Sequence, residues 1–141
     1  DLHVRSRRQR QMCIRDRACV VDCCLEAKKD PDYLLTIKDI ELWEKRNGEI
    51  PPRSWLLMRT DWSLKKDPTE YLNLDDEGAH TPGPHQDLIP WLINKRDVIG
   101  FGSEAVGTDA GQAAHFTLPM PCHHLMPVSY THLTLPTTPY V

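Results

Sequence analysis

The chain has 141 residues, 17 Lys+Arg against 20 Asp+Glu, a formal net charge of −3 and 40% apolar residues. That length fits one domain or a piece of one, and the apolar content is enough to bury a core, which excludes wholesale disorder. No run of about 18 apolar residues occurs, so no transmembrane helix is expected, and the mild acidity argues against a nucleic-acid partner.

The charge is laid out unevenly. Residues 1–17 carry six Arg and two Asp, net +4, whereas residues 18–141 carry net −7 and residues 110–141 have no charged side chain. Folded domains mix their charges over the surface. An Arg-rich start can be a basic arm, a targeting segment or a solvated tail. Asp22 interrupts the short apolar stretch Ala18–Leu25, a poor fit to a secretory signal. A fourth reading suits the composition better: Leu2–Arg17 resembles a translated sequencing-adapter tract, and the uncharged, Thr/Pro-rich Val128–Thr138 resembles its companion. The organisation expected is a disordered tract over 1–17, a folded segment over 18–126 and a disordered tail over 127–141.

Within the middle segment, Ala18–Cys24 is a short apolar run expected as a strand, and Lys28–Tyr33 a loop broken by Pro31. Thr36 with Asp39 three residues on is a capping-box arrangement, and Ile37, Ile40 and Trp43 recur at helical spacing. Gly48 and then Pro51-Pro52 end that helix. Ser54–Thr60 is expected as a buried strand. Asp67–Pro84 is expected as an extended loop anchored by Tyr71 and Leu72, long enough to suggest function. Gln86–Arg96 carries an apolar stripe of Leu88, Ile89, Leu92 and Ile93, with Pro90 tolerable only in the first helical turn. Asp97–Gly102 is a second short buried strand. Alternating strands and helices predict α/β layering with the site on loops at strand ends.

The five cysteines, Cys13, Cys19, Cys23, Cys24 and Cys122, are odd in number and irregular in spacing, so no disulfide framework is read and a reducing cytoplasm is the expected compartment. A zinc site from Cys23, Cys24, Cys122 and His123 lacks any CxxC pair. Val106–Met126 gathers Asp109, His115, His123 and His124 after a predicted strand end. Neutral imidazole binds zinc or manganese, and a nearby carboxylate orients it; ordinary surface or core histidines are the alternative. His123 and His124 are adjacent, so one alone faces any site. HExxH, P-loop, GxGxxG and GxSxG are all missing, which removes several common enzyme readings. His80 and His85 flank Pro82-Gly83-Pro84 and read as turn residues, and Glu104 as a strand end, solvated or functional.

Several landmarks occur in order: DPDYLLT from Asp30, IPPRSWLLMRTDW from Ile50, YLN from Tyr71, HTPGP from His80, GTDAGQ from Gly107 and PCHH from Pro121. Together they resemble the metal-dependent cyclase family, which includes kynurenine formamidase and isatin hydrolase, and the pattern is closer to the isatin-hydrolase-like branch. The resemblance covers most of residues 18–126. It implies a partial domain of the swivelling β/β/α fold, an α/β class with a β-barrel-like core, in a homo-oligomeric parent. The implied activity is hydrolysis of an amide bond in a small-molecule substrate, a cyclic amide or an N-formyl aryl amine, with a divalent metal (Zn or Mn) lowering the pKa of bound water.

The family's main metal motif, HxGTHxDxPxH, does not occur in the chain, and Leu135 stands where the family places a later Glu or Gln. His123 matches the family's later active-site histidine and carries over as the catalytic and metal-binding candidate. Asp109 and Trp62 are the substrate-binding candidates, Asp109 also shaping its loop and Trp62 also suiting a packed aromatic at a strand end. On this reading the chain is an interior slice of a larger acidic hydrolase, inactive alone. The competing reading is a non-catalytic α/β binding or structural protein.

Overall fold

The computed structural model describes residues 17–129 and 131–134, with side-chain surroundings through Met126; most of the 1–17 tract and most of the tail lie outside the described residues. The central feature is a four-stranded parallel sheet of β1 (Ala18–Asp22), β3 (Trp55–Arg59), β7 (Gly100–Ser103) and β8 (Thr131–Thr134), in that spatial order. Parallel neighbours require long crossovers, and helices fill them: α2 (Ile37–Asn47) between β1 and β3, α4 (Leu88–Arg96) between β3 and β7, and α5 (Pro121–Ser129) between β7 and β8. The α/β class expected from the sequence is the class observed.

The sheet buries one face by strand alternation. Cys19 and Val21 of β1, Leu56 and Met58 of β3 and Phe101 of β7 share a single core with Ile40 of α2, Leu88, Ile89 and Leu92 of α4, and Cys122 and Met126 of α5. Each such large apolar side chain contributes about 1.5–3 kcal/mol on burial. The intervening positions Val20 and Leu57 are not buried, so β1 and β3 read as half-covered strands.

Local chemistry sets the helix limits. Thr36 accepts from the Asp39 amide while the Asp39 carboxylate accepts from the Thr36 amide at 2.9 Å, a complete capping box. Gly48, at φ 91°, closes α2 in a backbone region that side chains disfavour. Pro90 sits at the third residue of α4, within the first turn, where no intrahelical N–H is lost. Arg96 of α4 clasps Glu44 of α2 with Nε–Oε1 2.7 Å and Nη2–Oε2 2.9 Å, and that guanidinium, above all else, holds the Glu44 carboxyl below its ordinary range.

Two expectations are corrected. The run Ala18–Cys24 is not all strand: Cys24 opens a short helix, α1 (Cys24–Lys29), after Cys23 turns the chain and donates its N–H to the Arg59 carbonyl. Residues 67–84 are not an open loop. They hold α3 (Pro68–Leu72), the antiparallel hairpin β4 (Leu74–Asp75) with β5 (Gly78–Ala79), and β6 (Gly83–Pro84), which pairs with β2 (Leu34–Leu35). Tyr71 anchors this segment as expected, its hydroxyl donating to the Glu104 carbonyl at 3.0 Å, but Leu72 is exposed.

Replacing Thr36→Ala removes the cap and is expected to lower unfolding stability by about 1 kcal/mol. Urea denaturation reads this as a lower midpoint with an unchanged slope; an unaltered midpoint would show that α2 does not depend on its cap.

Candidate active site

The loops that leave the carboxyl ends of β1, β3 and β7 supply the candidate residues, the place where open α/β sheets gather their sites. Asp109 lies on the loop after β7 and is 4% exposed. Its Oδ1 accepts the Cys122 amide at 2.7 Å, and its Oδ2 accepts the His123 amide at 3.0 Å. Both amides belong to the first turn of α5, where no intrahelical carbonyl can reach them. The carboxylate therefore caps α5 from fourteen residues away and meets the positive end of its dipole.

The same Oδ2 lies 2.5 Å from His123 Nδ1. A carboxylate only accepts, so Nδ1 carries the proton and Nε2 faces away from Asp109. This fixes both the tautomer and the ring plane, as a supporting carboxylate does for a histidine that binds a metal or moves a proton. The His123 side chain is 42% exposed, so the ring is held at one end and reachable at the other. His124 is exposed, and its amide donates to the Met120 carbonyl. His115 is exposed at the end of a 3-10 turn, Ala113–His115.

The Asp109 loop is itself held by close backbone approach. The Gly111 amide donates to the Thr81 carbonyl at 2.9 Å, and Gln112 Nε2 donates to the Ala79 carbonyl at 2.7 Å. A Cβ on Gly111 would fall 2.3 Å from the Ala79 oxygen, and one on Gly83 would fall 2.3 Å from the Ala110 nitrogen. HTPGP and GTDAGQ are thus two strips laid side by side, with no room for a side chain at either glycine.

Trp62 is placed elsewhere. It is 3% exposed in the 3-10 turn after β3, donates Nε1–H to the Tyr71 carbonyl at 2.8 Å and carries Lys65 Nζ 4.5 Å from its ring centroid. It lines a cavity of about 810 Å³ with Cys24, Lys28, Asp61 and Glu70 among others; neither Asp109 nor His123 lines it. The three candidates thus divide into a joined pair and a separate aromatic.

Glu104, read from sequence as a strand end, joins the two loops. Its Oε2 accepts the Thr60 amide at 2.6 Å, and its Oε1 accepts the Ser63 hydroxyl at 2.9 Å, pinning the turn that carries Trp62 to the end of β7. A Glu directly after a buried strand was the only sequence signal for this tie.

Burial pushes Cys23 and Cys122 up to about 12, so neither is a thiolate at neutral pH. Among the described residues no group of three His, Cys, Asp or Glu could hold a metal ion.

Asp109→Ala strands the first-turn amides of α5 and is expected to cost roughly 2–4 kcal/mol, with Asp109→Asn losing less because one amide oxygen still accepts. Denaturant midpoints for the two variants, with amide exchange at Cys122 and His123, check the order; equal and negligible losses would contradict the capping role.

The Cyclase family model matches residues 4–110, beginning inside the Arg-rich segment and ending before His123. The isatin hydrolase of Roseibium aggregatum is 45% identical over 108 residues, which are 76% of this chain and 41% of that protein. Among solved structures, isatin hydrolase A from Ralstonia solanacearum superposes with a TM-score of 0.81 at 44% identity, covering 83% of this chain and 45% of that one. An isatin hydrolase bound to the product analogue thioisatinate gives 0.79 at 40% identity, covering 85% and 49%. The chain therefore spans under half the length of these relatives.

Proposed function

The chain belongs to the Cyclase family, and from that membership we propose that it works as part of a metal-dependent hydrolase that opens an amide C–N bond in a small molecule. The substrate class is a cyclic aryl amide such as isatin, or an N-formyl aryl amine such as N-formylkynurenine. The observation that carries this reading is the Asp109–His123 pair, a histidine with one nitrogen held by a buried carboxylate and a partly exposed ring.

The described residues alone do not fit a zinc or manganese ion. The Asp109–His123 site offers one imidazole, and the carboxylate beside it is already occupied by two amides and the ring. The metal of the proposed enzyme would need ligands of the HxGTHxDxPxH kind, which the 141 residues lack. What this chain supplies is proton handling. In amide hydrolysis water adds to the carbonyl carbon, the C–N bond breaks and the nitrogen leaves with a proton. His123 Nε2 would take the proton from the attacking water and return it to the departing nitrogen, while Asp109 stabilises the ring in its charged interval. Asp109 is then a positioning residue. Trp62 walls a separate cavity that neither Asp109 nor His123 lines, so the proton handling at His123 does not rest on it.

A cytoplasmic location and a homo-oligomeric assembly accompany this reading. Among the described residues no helix is long and apolar enough to cross a membrane. The second reading, a non-catalytic α/β binding protein, is favoured by one observation: the described residues hold no complete metal group.

The 141-residue chain, assayed with isatin and N-formylkynurenine in Mn²⁺ or Zn²⁺, is expected to show no turnover. A longer chain that adds the HxGTHxDxPxH motif ahead of it is expected to hydrolyse one of the two, and His123→Ala in that chain to lose roughly 10²–10⁴-fold in kcat. A longer chain that binds no divalent metal would leave the binding-protein reading standing.

A further inference from the structure

His80, expected as a turn residue, hydrogen-bonds one carboxylate through Nδ1 and has a second within ion-pair distance of Nε2, out of line for a hydrogen bond. Nδ1 lies 2.7 Å from Asp32 Oδ2, and Nε2 lies 3.0 Å from Asp75 Oδ2. The two carboxylates come from different elements. Asp32 is in the turn between α1 and β2, its amide held by Asp30 Oδ1 at 3.0 Å, and Asp75 is in β4, its Oδ1 accepting the Glu77 amide at 2.8 Å. A neutral imidazole has one N–H and no charge to attract the second carboxylate; the imidazolium carries an N–H at each nitrogen and a charge that attracts both.

The neck of the hairpin is closed at the same residue. The His80 amide donates to the Asn73 carbonyl at 3.0 Å, and Asn73 Nδ2 donates to the His80 carbonyl at 2.8 Å. Asn73 and Pro31 both line the cavity beside Trp62. Pro31 precedes Asp32, and Asn73 is bound to His80, so the Asp32–His80 contact lies directly behind two residues of that lining.

We propose that His80 is a proton-sensitive clamp: protonated, it fastens the β4–β5 hairpin to the turn that holds Asp32 and sets the cavity wall at Asn73; neutral, it releases one of its two carboxylates and the hairpin loosens. This concerns a cavity wall and does not rest on the hydrolase reading. Asp32 and Asp75 are the charged groups that act on the ring. Asp32 first, then Asp75, raises His80 above its ordinary value, and Asp75 is lowered, chiefly by the Glu77 amide and then by His80. The sign follows. The His80 contribution is complete below the ordinary imidazole value of about 6.5 and is lost as pH rises through the raised value. The Asp75 contribution is present above the ordinary carboxylate range and is lost as pH falls through the lowered value. The clamp is therefore tightest at mildly acidic pH.

Two measurements on the full chain test this together. NMR titration of His80 reads its pKa, and hydrogen exchange of the 74–80 amides, corrected for intrinsic rates, reads hairpin opening from about pH 5.5 to about pH 9, which brackets the ordinary imidazole value of about 6.5 and values raised above it. Linkage requires about a tenfold loss of hairpin protection for each pH unit by which His80 is raised. In Asp75→Asn, which leaves the Asp32 contact in place, His80 is expected to titrate lower and the loss of protection to shrink in step. In His80→Gln the protection is expected to stay flat with pH. The clamp is overturned if His80 titrates at its ordinary value, if hairpin protection is flat with pH in the unaltered chain, or if His80→Gln keeps the pH dependence.

Discussion

Asp109 is almost fully buried, uncharged residues surround it in sequence from Ala105 to Thr108, and its carboxylate oxygens meet two helix amides and one imidazole. A buried charge without partners would be strongly destabilising; here the N-terminus of α5 supplies them. The helix gains a cap it could not build locally, since its first turn begins with Pro121 and has no Ser, Thr, Asp or Asn before it in the Leu118–Met120 run. The same contact sets the direction of His123. Folding of the last helix and orientation of the candidate catalytic ring are thus one constraint, and loss of the carboxylate disturbs both.

That constraint depends on the strips around it. Gly83 and Gly111 let the HTPGP and GTDAGQ segments lie against each other, and β2–β6 pairing seats the first strip on the turn after α1. Glu104 ties the end of β7 to the turn after β3. The parallel sheet delivers all of these loops to one edge. The candidate site is accordingly a carboxylate-held histidine on a chain that spans less than half the length of its relatives.

Features encoded within a few residues were legible in the sequence. The capping box at Thr36 and Asp39, the stop at Gly48, the apolar run of β3 and the stripe of α4 are each local, and each is found where it was read. Elements defined by distant partners were not legible. Helix α1 is six residues long with no side-chain cap, too short to stand on propensity alone, and it forms where β1 ends against Arg59. β4, β5 and β6 are two residues each and exist only through their pairing. The Asp109–His123 contact was approached through motif resemblance, which named both residues; no spacing rule gives a helix cap from fourteen residues away. The Glu104–Thr60 tie crosses 44 residues, and a Glu at a strand end does not name its partner. The ring of His80 bridging Asp32 and Asp75 was hidden for the same reason, since a His beside Pro-Gly-Pro reads as a turn.

The most direct test of this account is the tautomer of His123, read from its ¹⁵N chemical shifts in the neutral ring. The account predicts a single Nδ1–H tautomer, with the proton shared toward Asp109 and Nε2 unprotonated. An Nε2–H tautomer, or rapid averaging between the two, would contradict it, because the buried carboxylate would then not be orienting the ring.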